Sequence, residues 1–123
     1  MNHLDIYNEI GAYSEVLGAT DHRQIQMLLE KLVSDLKQSR TALENNNITI
    51  KCKCLSSADN IVAYLRDCLN FDADPVLSEK LDKIYEHLVK QLFISNSKNS
   101  QESLQECQTI ATNIKTWWDH VSA

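Results

Sequence analysis

The sequence predicts an all-α protein: an antiparallel, up-down-up-down four-helix bundle with a short N-terminal arm. Three observations lead there. Four long segments carry apolar residues at steps of three and four, the period of one helix face. Both glycines, Gly11 and Gly18, fall in the first 18 residues, and Pro75 is the only proline. The chain from Ala19 onward therefore lacks the tight Asn-Gly or Asp-Gly turns that join strands. Three short polar breaks separate the segments, and short loops force neighbouring helices to run antiparallel. At 123 residues the chain is one domain, with residues 1–18 as the arm and 19–123 as the bundle.

In the arm, Ile6, Ile10 and Tyr13 are spaced to share one face of a short helix. The first long segment runs from about Asp21 to Asn45, with Ile25, Leu28, Leu29, Leu32, Leu36 and Leu43 inward. Thr20 or Asp21 caps its start. Asn45-Asn46-Asn47 ends it, because Asn tolerates the left-handed conformation. The second runs from about Thr49 to Asn70, with Ile50, Cys54, Ala58, Ile61, Leu65 and Cys68 inward. Asp74 caps the third, and Pro75 sits at its first position, where no N–H is missed. That segment reaches about Ile94, with Leu77, Leu81, Ile84, Leu88 and Leu92 inward. Residues 95–100 read as a loop, and Asn99 with Glu102 as a capping box. The fourth carries Leu104, Cys107, Ala111, Ile114, Trp118 and Val121. Steps of three and four give a seam of the kind that packs helix on helix.

Composition excludes several functions. The formal net charge is -5, and duplex nucleic acid or an anionic membrane needs a concentrated basic face. Phosphate-cradling and dinucleotide-binding loops and nucleophile elbows need glycine, and none follows Gly18. No apolar run approaches the ~20 residues of a membrane span. The N-terminus has no basic and apolar signal-peptide pattern, so the four cysteines, Cys52, Cys54, Cys68 and Cys107, are expected as reduced cytosolic thiols.

Candidate chemistry is sparse. Cys52 and Cys54 point to nearly opposite faces of a helix and lack the rest of a zinc ligand set, so no metal or cofactor is expected. No Glu has a His three residues later, which leaves out the di-metal motif of bundles. An enzyme is not expected. His87-Leu88-Val89-Lys90 resembles the His-x-x-Lys core of histidine phosphotransfer domains, although Gln91 stands where a small residue usually follows. That makes a phosphotransfer protein using His87 the alternative reading. Leu29, Val33, Val62, Tyr64, Tyr85, Val89, Phe93, Ile110 and Trp117 lie beside the seams. They form either a wide core stripe or a second, shallow surface for a partner helix.

A family resemblance bears on that choice. Gly18-Ala19-Thr20-Asp21-His22-Arg23-Gln24-Ile25-Gln26-Met27-Leu28, with Tyr13 upstream, resembles the opening of the flagellar secretion chaperones of the FliS family. Tyr64-Leu65-Arg66-Asp67-Cys68-Leu69, Leu81-Asp82-Lys83-Ile84-Tyr85-Glu86-His87-Leu88 and Trp118-Asp119 are similar to three later motifs of that family, in order. Asp21 replaces a usual Pro, Gln24 an apolar residue, and Leu29-Glu30-Lys31 an aromatic-acidic-Gly run. Ala73-Asp74-Pro75 replaces a Gly-containing turn. The resemblance implies a cytoplasmic chaperone. It would bind the disordered, apolar C-terminal segment of flagellin, prevent premature polymerisation and deliver the cargo to the export apparatus, with the export gate as a second candidate partner. Helix-in-groove recognition coupled to folding is the physics implied. The residues expected to line such a surface are Tyr13, Ile25, Leu28, Leu29, Leu32, Tyr64, Leu65, Ile84, Tyr85 and Leu88.

Overall fold

The computed structural model describes residues 21–121. The expectations for the arm, including Ile6, Ile10 and Tyr13, lie outside them, as does Thr20 as a cap. Four α-helices account for nearly all of the described chain: α1 (Asp21–Glu44), α2 (Ile48–Asp67), α3 (Pro75–Lys98) and α4 (Gln101–His120). Each packs on its sequence neighbour, and α4 closes the ring against α1. This is the expected up-down-up-down bundle. No helix among the described residues is long and apolar enough to cross a membrane.

The connections are short because each end is capped locally. Asn46 takes a left-handed conformation at φ 58°. The Asn47 N–H then bonds back to the Ala42 carbonyl at 2.8 Å and Asn46 N–H to Leu43 at 3.1 Å, which closes α1 in a Schellman motif. Asn47 caps α2, its side chain accepting from the Ile50 N–H. Asp74 caps α3 by accepting from the Leu77 N–H, with Pro75 beside it as expected. Here the sequence reading needs two corrections. Helix α3 continues through Ser95–Lys98, and the turn is only Asn99-Ser100. Asn99 is the left-handed terminator at φ 51°, and Ser100 caps α4 by accepting from the Ser103 N–H.

The core is one cluster that includes Leu28, Leu32 and Leu36 of α1, Ala58, Ile61 and Leu65 of α2, Leu88 and Leu92 of α3, and Leu104, Cys107 and Ala111 of α4. Burial follows the predicted seams of α1 and α4. It departs on the other two helices. On α2, Ile50 is exposed, as is Cys68 just past its end, and Lys51 is buried at 2% relative exposure. On α3, Leu77 and Ile84 are exposed, while Ser78, Tyr85 and Ser95 are buried. The inward row of α3 is therefore 78, 85, 88, 92 and 95, rotated by one residue over its first half.

Polar partners explain these shifts. The Lys51 ammonium donates to the Asn96 carbonyl at 3.1 Å and to Asn99 Oδ1 at 2.6 Å. It thus sits on the C-terminus of α3, where unpaired carbonyls and the negative end of the helix dipole favour a cation. The Ser78 hydroxyl donates to the Asn70 carbonyl at 3.0 Å, and Ser95 to Gln91 at 2.7 Å. Each inward hydroxyl is satisfied by a nearby backbone oxygen, so it enters the core without an orphaned group.

Candidate functional site

The surface around α3 differs from that around α1. The exposed large apolar residues include Val76, Leu77, Ile84 and Phe93, all on α3, and Phe93 is 73% exposed. Two grooves flank α3. The α2/α3 groove, about 350 Å³, is walled by Leu55, Val89, Leu92 and Phe93, with Cys52 and Asn96 at one end and Ser56 and Asp59 along its rim. The α3/α4 groove, about 410 Å³, is lined by Ile84, Ile110 and Ile114 with Lys83, His87 and Asn113 at its edge. The walls of the α2/α3 groove extend over about two helical turns, roughly 10 Å, which matches a short amphipathic guest helix, and those of the α3/α4 groove over about one turn, roughly 6 Å.

A third feature lies at the end of the bundle where α1 begins and α4 ends. A cavity of about 100 Å³ opens there, lined by Ile25, Leu69, Leu81, Tyr85, Trp117 and Trp118 among others. Its wall is held by His22, which stacks on Trp118 with ring centroids 4.7 Å apart. Beside it, Arg66 bonds Asp82 at 2.9 Å across α2 and α3, which raises the guanidinium pKa. On the outer surface, Asp119 accepts from Lys115 and Gln26, and these bonds hold its carboxyl below the usual range. Burial pushes the Tyr85 hydroxyl up to about 12.

The structure distributes the sequence-derived candidates unevenly. Leu28, Leu29, Leu32, Leu65, Tyr85 and Leu88 are core residues, with Tyr85 only 4% exposed at the floor of the end cavity. Ile25 and Tyr64 are partly buried against the core. Ile84 is 39% exposed and stands in the α3/α4 groove. Tyr13 lies outside the described residues. Among the residues beside the seams, Leu29, Val62 and Tyr85 belong to the core, whereas Phe93 and Trp117 are exposed. Val89, Phe93, Ile110 and Ile114 line the grooves although none was among the sequence-derived site candidates. The signal for Phe93 and Ile110 was present as apolar surplus beside the seam.

His87 is half exposed, and its Nε2 lies 2.8 Å from Glu106 Oε1. A carboxylate at that ring nitrogen repels an incoming phosphoryl group, which weighs against phosphotransfer there. Among the described residues no three His, Cys, Asp or Glu side chains are placed to hold a metal ion.

Known proteins resemble the chain over almost all its length. Residues 3–123 match the family described as flagellar protein FliS. The chain belongs to the FliS family. It is 30% identical over 118 residues to the flagellar secretion chaperone FliS of Vibrio cholerae, covering 96% of this chain and 87% of that one. It is 29% identical over 122 residues to the flagellar secretion chaperone FliSB of Pseudomonas aeruginosa, covering 99% and 97%. Against the FliS of Bacillus subtilis the identity is 27% over 117 residues, covering 94% and 86%. FliS is a family of flagellar export chaperones and not an enzyme family, and the grooves around α3 are the surface to weigh for a client protein.

Proposed function

We propose that the grooves flanking α3 hold the C-terminal segment of flagellin in the cytoplasm, keep it from polymerising and present it to the export apparatus. The observation that carries this reading is the apolar surface on both flanks of one helix, with exposed Phe93 beside partly buried Val89 on one side and exposed Ile84 on the other. A disordered apolar segment that folds on binding loses roughly 2–5 kcal/mol or more to ordering. It therefore needs extended apolar area, which two grooves supply together better than one. The role needs no metal, cofactor or nucleic acid. Family membership supports a client in flagellar export, and the export gate remains the candidate second partner.

The test is titration calorimetry with a flagellin C-terminal fragment. Wild type is expected to bind with a negative heat-capacity change, the mark of apolar burial. Phe93→Asp is expected to bind far more weakly while its melting temperature stays within a few degrees of wild type, since an exposed side chain contributes little to folding. Full-strength binding by Phe93→Asp together with Ile84→Asp would remove both grooves from the site.

A further inference from the structure

The α2/α3 groove has apolar walls and a polar group at each end. Leu55, Val89, Leu92 and Phe93 offer nothing to a backbone N–H or C=O. A segment seated between them must bond its own backbone groups, which a helix does everywhere except at its ends. The first turn of a helix leaves N–H groups open, and the last turn leaves C=O groups open. The direction of a guest helix therefore decides which end of the groove meets donors and which meets acceptors.

The two ends differ in kind. At one, Asp59 stands exposed on the rim, and its carboxylate has no hydrogen bond or ion pair among the described residues. About two turns away, Asn96 and Cys52 form the other end. Asn96 Oδ1 accepts from the Cys52 thiol at 3.6 Å, which leaves the Asn96 amide N–H groups as open donors. Beneath them the buried Lys51 ammonium lies 3.1 Å from the Asn96 carbonyl. The stretches that build this end, 47–55 and 91–99, hold Lys51, Lys53 and Lys98 and no Asp or Glu. A buried charge is screened less than an exposed one, so this end is positive and the Asp59 end negative.

We infer that the groove sets the direction of its guest: the client helix lies with its N-terminus at Asp59 and its C-terminus at Asn96, parallel to α3 and antiparallel to α2. The inference rests on the client reading above. Asp59 accepts from the open N–H groups of the guest's first turn, as an N-cap carboxylate does. Asn96 donates to the open carbonyls of the last turn, and Lys51 acts on that end through its charge, without touching it. The dipoles of α2 and α3 point in opposite directions and largely cancel between the two helices, so the fixed charges decide. A reversed guest would set open carbonyls against the Asp59 carboxylate and open N–H groups against the Asn96 amide, and both sets would go unpaired.

The experiment maps direction by disulfide coupling. In the full chain with Cys68→Ser, Cys52 is the exposed thiol, since Cys54 and Cys107 are buried. The probe is a flagellin C-terminal fragment with a single cysteine moved one residue at a time along its apolar, helix-forming stretch. A second chain carries Cys52→Ser, Cys68→Ser and Ser56→Cys, which moves the thiol one turn toward Asp59. The fragment position that couples best to residue 56 is expected about four residues N-terminal to the one that couples best to Cys52, because four residues of guest helix span that turn. The opposite order, or equal coupling in both orders, would overturn the inference and leave the client reading standing. Binding without coupling to either thiol would take the client out of this groove and the inference with it. Titration calorimetry with the same fragment adds a second measure. Asp59→Asn is expected to weaken binding about twofold to fivefold and Asp59→Lys about tenfold, with melting temperatures within a few degrees of wild type. Unchanged affinity in Asp59→Lys would also overturn the inference. Failure of the wild-type chain to bind the fragment at all would overturn both readings.

Discussion

His22 and Trp118 hold each other by two reciprocal hydrogen bonds. Trp118 Nε1 donates to the His22 carbonyl at 2.9 Å, and His22 Nε2 approaches the Trp118 carbonyl at 3.0 Å, donating its N–H to that oxygen. Their rings stack with an interplanar angle of 13°. The pair ties the first turn of α1 to the last turn of α4, two helix ends that would otherwise fray. Trp117, one position away, is 39% exposed and only tilts against Trp118.

Trp118→Ala is therefore expected to cost about 3 kcal/mol, the lower range for large aromatic truncations. Trp117→Ala should cost about 1 kcal/mol or less, as partly exposed positions do. Urea unfolding of the two variants checks the order. Equal losses would mean that the indole of Trp118 is not anchored as described.

Lys51 makes a second long-range tie, from α2 to the terminus of α3. Lys51→Met keeps most of the buried volume and removes the ammonium that bonds Asn96 and Asn99. Loss of these charge-assisted bonds should destabilise by about 1–3 kcal/mol. Lys53→Met, two residues on and exposed, should stay within about 0.5 kcal/mol of wild type. Chemical denaturation of both separates a capping ammonium from a surface one. Comparable losses would show that the charge on α2, and not its place beneath α3, is what matters.

The same residue explains what could and could not be read from sequence. The bundle was legible because Leu, Ile and Ala at steps of three and four admit one packing solution. Helix ends were legible at Asn46, Asp74 and Pro75, but not at Asn99-Ser100, where a polar run read as loop stays helical through Lys98. The start of α2 was not. A hydropathy pattern places Ile50 inward and Lys51 outward, and only the carbonyls of α3, 45 residues away, reverse that order. Ser78 and Ser95 escaped for the same reason: they count as polar, but each closes a bond to a backbone oxygen and packs like a small residue. The resulting one-residue rotation of α3 put Tyr85 in the core and Ile84 at the surface. Of the candidate site, the apolar surplus was visible, but whether Tyr85 or Phe93 stood outside depended on that rotation.

Alkaline conditions should weaken the fold through Cys107. Its thiol is fully buried, and burial pushes it from 9.0 up to about 11. The unfolded chain loses this proton at about the ordinary value, whereas the folded chain keeps it until about 11. Stability is thus intact below pH 9 and falls between pH 9 and 11 as the unfolded state alone ionises. The loss from this group is on the order of 2–3 kcal/mol. Thermal melts across that window should show the decline, and Cys107→Ala should show less of it. An unchanged slope in Cys107→Ala would assign the decline to other groups, Tyr85 first among them.

Cys52 offers a direct footprint of the client. It is exposed and lines the α2/α3 groove beside Phe93, whereas Cys68 is exposed at the other end of α2, and Cys54 and Cys107 are buried. In the free protein a maleimide should therefore label Cys52 and Cys68 and spare the other two at neutral pH. If the flagellin segment occupies the α2/α3 groove, saturating fragment should slow the labelling of Cys52 in a Cys68→Ser background. At a hundred times Kd the bound fraction leaves about one site in a hundred open, so the rate should fall by about a hundredfold. Cys68 in a Cys52→Ser background should label at an unchanged rate, because it lies at the end cavity and not in either groove of α3. Protection of Cys68 with Cys52 still reactive would move the client from the flank of α3 to the end of the bundle, where Trp117 and Leu69 would then be its contacts.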